Sequence, residues 1–412
     1  MGRIIGVVHK RKRTAEGEER PTQVAILEDG KLTQTYNLAD ERAEFDFVTG
    51  HFPTAYRLVE EDEDLSGYER PWQIREKKKG KEIPAAFEGF KKGDTVALTL
   101  GGSGAALTAA LFRIGESIGA RVVSIPSFTL KQNRTRHEPE EDHLTLAELA
   151  EASPELFSPV TPKDITYLQV LVAYRDWKDA QAARIAAAQR VSQRQIGRLF
   201  LDVGLYPEKQ LLDRYQADTA NDKILVALEL EEGQRKRAMD KLVEALPLFE
   251  RLKERGIGKG TVAAVVAAVG NISRFEHRDG FVAYLGVHCR DGKLARRRSG
   301  EVANWVPSTR TAIWNFVDIA CNRHPDSFWG TRLRVNKVRL REKHPEVEIY
   351  IGSDGKKKKR YTDGHIHKMA VWRTATQVAR WIYNEWKRLD GAGITDLTPA
   401  PSSERTPELI GA

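Results

Sequence analysis

The sequence is poor in cysteine and lacks long apolar runs, and these absences exclude several classes of protein. Its 412 residues include two cysteines, Cys289 and Cys321, which cannot build a disulfide framework and form no Cys-x-x-Cys pair. No stretch approaches the roughly 18 apolar residues of a membrane span. Residues 1–12 read as a strand followed by basic residues rather than as a signal peptide. We therefore expect a cytoplasmic protein with no membrane partner and no metal site.

Acidic residues are scarce in the C-terminal part of the chain. Residues 251–412 carry 30 Lys and Arg against 17 Asp and Glu, whereas residues 1–250 carry 36 against 41. A positive surplus confined to one part of a chain favours a polyanionic partner. The alternative is an ordinary soluble surface, since 30% charged residues is not unusual.

The N-terminal part predicts an α/β fold. Runs rich in β-branched residues at 3–9 and 22–28 predict two strands, and Asp29-Gly30 predicts a hairpin turn after the second. Further along, the pattern predicts a strand at 95–100, a helix at 105–118 and a strand at 121–125. This order predicts a sheet with a parallel component. The charged segment 55–82 is expected to be an exposed insertion.

From residue 142 onward, helical spacing replaces strand patterns. Residues 144–150 predict a short helix, and Asp164 is a candidate N-cap for a helix that ends near Asp202. A second long helix is predicted at 222–246, after a break at 204–215. Two such helices predict an antiparallel helical arm through which two copies would dimerise. The alternative is that both helices belong to a compact bundle.

Residues 252–270 carry the most informative motif, a glycine-rich turn between two helices. Gly256, Gly258 and Gly260 allow a tight turn and the close approach of a phosphate. The N-terminus of the following helix offers free N–H groups, and Lys259 adds a positive charge. The pattern predicts a helix-hairpin-helix that binds a nucleic-acid backbone without reading its sequence. A plain helix connector is the alternative.

Further candidate nucleic-acid-binding residues follow in basic clusters. They are Arg296, Arg297, Arg298, Arg332, Arg334, Lys337, Lys356, Lys357, Lys358, Lys359, Arg360, His365, His367 and Lys368. Aromatic residues lie between these clusters and could stack on bases. For most of them core packing is the better interpretation, because Trp372, Ala375, Ala379 and Tyr383 keep the spacing of a buried helix face.

The segment from Gly256 to Gly286 resembles the C-terminal domain of bridge-RNA-guided insertion-sequence transposases. The residues that carry the resemblance are the Gly-Ile-Gly turn, 271–275 (NISRF) and 281–286 (FVAYLG). The resemblance implies a fold of class α/β plus α in four parts. These are an RNase-H-like, RuvC-like domain at 1–141, a helical coiled-coil arm at 142–250, a helical Nop- or transposase-like domain at 251–390 and a disordered tail at 391–412.

The chain departs from that family where catalysis is expected. The family's RuvC-like domain holds two divalent metals with four carboxylates, and here these fall at Val8, at Thr99 or Leu100, at Asp142 and at Thr145. The family's nucleophilic serine falls within 288–292, where there is none. The domain is therefore expected to be degenerate and to take no cofactor, with Asp142 a vestigial catalytic candidate. Mg²⁺ would be needed only if a nuclease site survives through Asp142, Asp94 or a substitute such as Glu28.

The end of the chain suggests a related function without catalysis. Residues 364–370 (GHIHKMA), with the basic helix that follows to Lys387, are similar to the Nop domain of box C/D ribonucleoproteins. The combination resembles the nuclease-lacking Tas proteins of tandem interspaced guide RNA systems. It implies a protein that binds a small guide RNA and, through it, target DNA. The alternatives are an active RNA-guided transposase and a Nop-type scaffold for RNA modification.

Overall fold

The computed structural model describes residues 2–10, 20–100, 104–134, 139–204, 209–290, 293–294, 305–351 and 355–391. The chain divides into two compact units, residues 1–168 and 169–412. No helix in these described ranges is both long enough and apolar enough to cross a bilayer.

The first unit is built on a six-stranded mixed sheet. Its elements are β1 (Ile4–Val8), β2 (Thr22–Glu28), β3 (Lys31–Leu38), α1 (Glu41–Val48), β4 (Phe52–Leu58), β5 (Arg75–Lys77), β6 (Gly80–Glu88), β7 (Thr95–Leu98), α2 (Ala105–Ile118), β8 (Arg121–Ser124), α3 (Ser127–Gln132), α4 (Asp142–Ala152) and β9 (Ser158–Pro159). The strand order is β3-β2-β1-β7-β8-β9. Strands β1, β7 and β8 are parallel, whereas β2, β3 and β9 run antiparallel to their neighbours. The expected α/β layout with a parallel component is confirmed.

The predicted hairpin joins β2 to β3 through residues in the left-handed region. Asp29 has φ 47° and Gly30 has φ 75°, as a tight turn of this kind requires. The core beneath the sheet contains Ile5, Ile26 and Val96, each fully buried. The two strands and the hairpin turn predicted at the start of the chain are therefore confirmed, and their apolar residues form part of the core.

The charged segment 55–82 is exposed but ordered, in a second sheet that the sequence pattern does not predict. Its strand order is β4-β6-β5, all antiparallel. The buried carboxylate of Asp46 on α1 accepts hydrogen bonds from Arg70, Trp72 and Gln73 in the loop before β5. Polar contacts therefore attach this sheet to α1.

The second unit is helical, and α5 (Pro162–Val203) runs into it from the first. The remaining elements are α6 (Lys209–Ala220), α7 (Lys223–Glu244), α8 (Pro247–Lys253), α9 (Lys259–Val269), α10 (Arg278–Tyr284), β10 (Cys289–Arg290), β11 (Lys293–Leu294), α11 (Pro307–Asn315), α12 (Cys321–Arg323), α13 (Phe328–Lys343), β12 (Glu348–Ile351), β13 (Lys357–Arg360) and α14 (Asp363–Gly391). A π-helical segment, 316–320, links α11 to α12.

Helix α5 begins two residues before Asp164, so the expectation that Asp164 is its N-cap is wrong. Thr161 holds the cap position. Asp164 lies in the first turn, and its Oδ2 accepts hydrogen bonds from the Thr161 N–H at 2.8 Å and the Thr161 hydroxyl at 2.6 Å. In return, the Asp164 N–H donates to the Thr161 hydroxyl oxygen at 3.4 Å. This reciprocal arrangement is a capping box, with an acidic residue three positions after the cap.

Helices α5 and α7 contact each other in antiparallel orientation. Glu232 on α7 receives a hydrogen bond from Gln181 at 3.1 Å and pairs with Arg184. Nearer the start of α5, the Asp176 carbonyl accepts a bond from Arg235, which lies further along α7. The predicted break at 204–215 is too long, because α6 begins at Lys209.

Candidate nucleic-acid interface

Helices α8 and α9 form the predicted helix-hairpin-helix. Gly256 has φ 78°, a conformation that disfavours any residue with a Cβ. Ile257 anchors the turn, because its side chain is 1% exposed and its N–H donates to the Leu252 carbonyl at 3.2 Å. Residues 262–266 of α9 are fully buried. The middle of α9 is therefore closed to a ligand, whereas its first residues, 259–261, are only half-buried.

Gly258 caps α9 in an extended conformation that any residue can adopt, with φ −76° and ψ 159°. A Cβ placed there would meet no atom within 4 Å. The fold itself therefore does not demand glycine at this position. A backbone without a side chain here leaves room for an external group to approach the first amides of α9.

The turn lies in an open depression of about 480 Å³ whose lysines each face a carboxylate. Lys259 pairs with Glu244, Lys236 with Asp240 at 2.6 Å, and Lys253 with Glu250 at 2.6 Å. The hydrogen bond that Lys259 donates to the Glu244 carboxylate raises the pKa of Lys259 above its ordinary value. A phosphate at the turn would have to compete with these carboxylates.

An aromatic ring connects the turn to the basic helix α13. The Arg255 guanidinium lies 3.8 Å from the centroid of the Phe328 ring, and that of Arg332 lies 5.6 Å from the same ring. Two of the sequence-predicted regions, the turn and the start of α13, are thus adjacent in the fold. Arg334 and Lys337 lie further along α13, where Arg334 pairs with Asp326 at 2.9 Å and Lys337 is 3.5 Å from Asn322.

Strands β12 and β13 form a separate two-stranded ribbon that carries Lys357, Lys358, Lys359 and Arg360. Every residue of both strands is exposed. Lys356 is exposed just before β13, and Lys368 is exposed on α14. Sequence reasoning found these basic residues but missed the apolar strand β12 that pairs with them.

Three rings fix the base of this ribbon to the rest of the unit. The rings of His344 and Tyr361 stack with centroids 3.7 Å apart, and the Tyr361 ring is also nearly parallel to that of His365 at 5.6 Å. The Tyr361 N–H donates to Nδ1 of His365 at 3.0 Å, and Arg341 donates to the Tyr361 carbonyl at 3.0 Å. Burial, aided by Arg360, lowers the pKa of His365, so its neutral form is the one that accepts this bond.

The other predicted residues lie in varied surroundings. Nε2 of His367 is 2.7 Å from Asp318. Trp329 and Trp386 are buried, as the core interpretation expects. Arg296, Arg297, Arg298 and the tail at 392–412 lie outside the described residues.

In the first unit, strand register shows which carboxylates lie near the catalytic positions that the resemblance implies. Strands β1 and β7 pair from Ile4 with Thr95 to Val7 with Leu98, so Val8 and Thr99 follow at the same, carboxyl-end edge. Asp94 precedes β7 at the opposite edge, where Arg3 binds it at 3.0 and 2.8 Å. Glu28 also lies toward that opposite edge, because its neighbour Leu27 pairs with Ile4. The expectation that either could substitute in the site is not supported by the topology.

Asp142 lies at the N-terminus of α4, toward the same edge as Val8. Gly6 packs against His143, near the start of α4, and Gly30 faces Glu151, near its end, so α4 runs antiparallel to β1. The Asp142 side chain is buried and accepts two hydrogen bonds from Arg134, at 2.7 and 2.9 Å. An arginine thus occupies both oxygens that a metal would need.

These residues do not fit a two-metal centre. Val8, Thr99 and Thr145 supply no carboxylate. Within the part of the chain that the structure describes, no group of three or more His, Cys, Asp or Glu is placed to hold a metal ion. Burial also raises the pKa of Cys321 to about 12, which keeps it from the thiolate form that binds metals.

Comparison with known proteins supports the resemblance for one segment. Residues 252–328 match the family model described as "Transposase IS116/IS110/IS902 family". No curated protein matches the chain. The matched segment begins at the end of α8 and contains the glycine-rich turn and α9. It ends at Phe328, the ring that joins Arg255 to Arg332. This part of the second unit is therefore similar to insertion-sequence transposases.

Proposed function

We propose that the chain is a transposase-related protein that binds a small guide RNA and, through it, target DNA, without cutting DNA. The observation that carries the proposal is the helix-hairpin-helix, whose turn and second helix lie inside the family-matched segment. The helix N-terminus that follows the turn and Lys259 suit the backbone of a folded RNA, and Arg255 and Arg332 extend the positive surface from the turn to α13. Base pairing by the RNA would supply the sequence recognition that backbone contacts cannot.

In this proposal the first unit is a degenerate RNase-H-like domain that acts as a scaffold. The adjacent parallel strands β1 and β7, with α4 packed across them, support that resemblance. The ion pair between Arg134 and Asp142 supports the loss of nuclease activity, because the one retained carboxylate is neutralised inside the protein. A single carboxylate already bound to arginine cannot organise two metal ions.

Purification from the native host tests the guide-RNA proposal. We expect the full-length chain to retain a discrete small RNA, visible on a gel and removed by ribonuclease but not by deoxyribonuclease. The ultraviolet absorbance ratio of the protein should fall after ribonuclease treatment. A preparation whose absorbance ratio and mass do not change after treatment would contradict the proposal.

An active RNA-guided transposase is the second candidate, and the family match is compatible with both candidates. The two candidates differ when the protein, its RNA, a matching DNA and Mg²⁺ are incubated together. We expect binding without cleavage. Strand cleavage by the wild type that the Asp142→Asn variant loses, while that variant still binds RNA, would favour the transposase.

A further inference from the structure

The ribbon formed by β12 and β13 has an unusual surface for a soluble protein. Ile349 is 67% exposed and Ile351 is 72% exposed. Large β-branched side chains in an open two-stranded ribbon gain little from burial, and such ribbons are marginally stable alone. Exposed apolar residues surrounded by polar ones mark interaction sites.

The register of the ribbon places apolar and basic side chains together on one face. Ile349 pairs with Lys359, and Ile351 pairs with Lys357. Directly opposite residues point to the same side of a sheet, so this face presents two isoleucines with a lysine beside each. The opposite face carries Tyr350, whose ring lies 5.6 Å from the Arg360 guanidinium.

The base of the ribbon is held more firmly than its strands. The stacked rings of His344 and Tyr361 and the bonds from Arg341 hold the residues that flank the ribbon. A fixed base with exposed strands suits an element that inserts into a partner. Because the base is already held in place, binding costs less conformational entropy.

The positive charge of the ribbon and its two-stranded width indicate which kind of partner it fits. Four consecutive basic residues form β13, which matches a polyphosphate and opposes a basic or neutral partner. The major groove of B-form DNA admits a two-stranded β-ribbon, whereas that of A-form RNA is too deep and narrow to be read by side chains.

We propose that the β12–β13 ribbon enters the major groove of duplex DNA, with Ile349 and Ile351 against base edges and Lys357 and Lys359 against the flanking phosphates. Apolar side chains in this groove contact the C5-methyl groups of thymine. The inference rests on the proposed function, because it assigns a DNA-contacting element to a protein proposed to bind DNA through a guide.

Binding of the full-length chain to a fluorescent A·T-rich duplex tests the apolar half of this proposal. The double variant Ile349→Ser/Ile351→Ser should bind about tenfold more weakly, as expected from the lost burial of two apolar side chains. Replacing thymine by uracil removes the methyl groups, and should weaken the wild type but leave the double variant unchanged. The wild type and the variant should have the same melting temperature, since both side chains are exposed.

The lysines are tested by the salt dependence of the same binding. Lys357→Gln/Lys359→Gln should reduce the slope of log affinity against log salt by about 2, because two phosphate contacts are lost. Lys77→Gln/Lys79→Gln removes two charges from another exposed basic hairpin, in the first unit, and should leave the slope as in the wild type.

Three results would overturn the inference. The first is that the serine variant and the wild type bind duplex DNA with equal affinity. The second is that the serine substitutions weaken binding to double-stranded RNA as much as binding to DNA. The third is that the wild type self-associates and the serine substitutions make it a monomer. The last would assign the ribbon to a protein interface. Retention of guide RNA in any of these cases leaves the proposed function intact, whereas an RNA-free preparation counts against the proposed function itself.

Discussion

At the scale of single residues, Gly6 decides how the first unit packs. A Cβ at this position would lie 2.0 Å from the His143 carbonyl oxygen and 2.8 Å from the Ala147 N. A Cβ carbon does not approach other heavy atoms within 3.0 Å, so α4 can lie this close to β1 only because residue 6 has no side chain. The need for glycine here arises from helix-to-sheet contact and not from an unusual φ.

We predict that Gly6→Ala destabilises the first unit by more than the roughly 1–3 kcal/mol typical of overpacking. The clash involves backbone atoms, which cannot rotate away as a side chain can. Urea unfolding followed by circular dichroism measures the change. As a control, Gly197→Ala on α5, where a Cβ would meet nothing within 4 Å, should raise stability slightly through helix propensity. Unchanged stability of Gly6→Ala would contradict this close contact between α4 and β1.

Asp142 illustrates how far single residues can be interpreted from sequence. The missing carboxylates at Val8 and Thr145 are visible in the sequence itself. The role of Asp142 is not visible in the sequence, because only the structure shows that Arg134 is its hydrogen-bond partner. The position of Asp94 is visible in the sequence, because Asp94 precedes its strand, whereas the resemblance places the catalytic carboxylates at the ends of strands.

At the scale of elements, hydrophobic periodicity predicted the buried elements and missed the charged ones. The predicted helix at 105–118 matches α2, and the strand at 22–28 matches β2. Strand β13 consists of Lys-Lys-Lys-Arg and has no apolar alternation to reveal it. Only the structure shows that it pairs with β12. The sequence therefore predicted the basic residues as binding candidates but not the ribbon that carries them.

The helix-hairpin-helix gives a prediction in which two neutralising substitutions have opposite effects. Lys259→Gln should weaken binding of the guide RNA and make its salt slope shallower by about 0.7, as for one contact to single-stranded RNA. Glu244→Gln should strengthen binding, because it releases Lys259 from its ion pair and removes a negative charge beside the turn.

Filter binding over a salt series measures both effects. Glu229→Gln, which removes an exposed carboxylate about four turns earlier on α7, should change neither affinity nor slope appreciably. If Glu244→Gln and Glu229→Gln behave alike, the effect is one of net charge, and the turn is not the contact point.

At the scale of the whole molecule, the division of charge acquires a structural meaning. The basic surplus lies in residues 251–412, the region of the family match, the turn, α13 and the ribbon. Three acidic residues of 1–250, Glu88, Asp94 and Asp142, are each paired with an arginine in the described structure, which supports the proposed loss of nuclease activity. The total charge of the chain does not show where the basic residues cluster or which acidic residues are paired, whereas residue positions and strand register do.

The helices α5 and α7 lead to a prediction about assembly, that two copies associate through the arm that these helices form. Leu201 on α5 is 82% exposed, and Ile224 and Leu230 on α7 are 61% and 59% exposed. Apolar side chains spaced along a long helix pair and left open to solvent suit a second copy of the same surface. The pair is already stabilised internally by Arg184 and Glu232, so polar substitutions at the exposed positions should spare its fold.

Leu201→Glu/Leu230→Glu should therefore convert a dimer to a monomer without lowering the melting temperature, because buried charges at a self-complementary interface repel across the symmetry axis. Light scattering coupled to gel filtration, with and without ribonuclease, measures the mass. Leu32→Glu is the control, since Leu32 is 51% exposed on β3, outside the arm, and should leave the dimer intact. A wild type that is monomeric under both conditions refutes arm-mediated assembly. A dimer that ribonuclease dissociates and the arm variant preserves would mean that the RNA, and not the arm, joins the two copies.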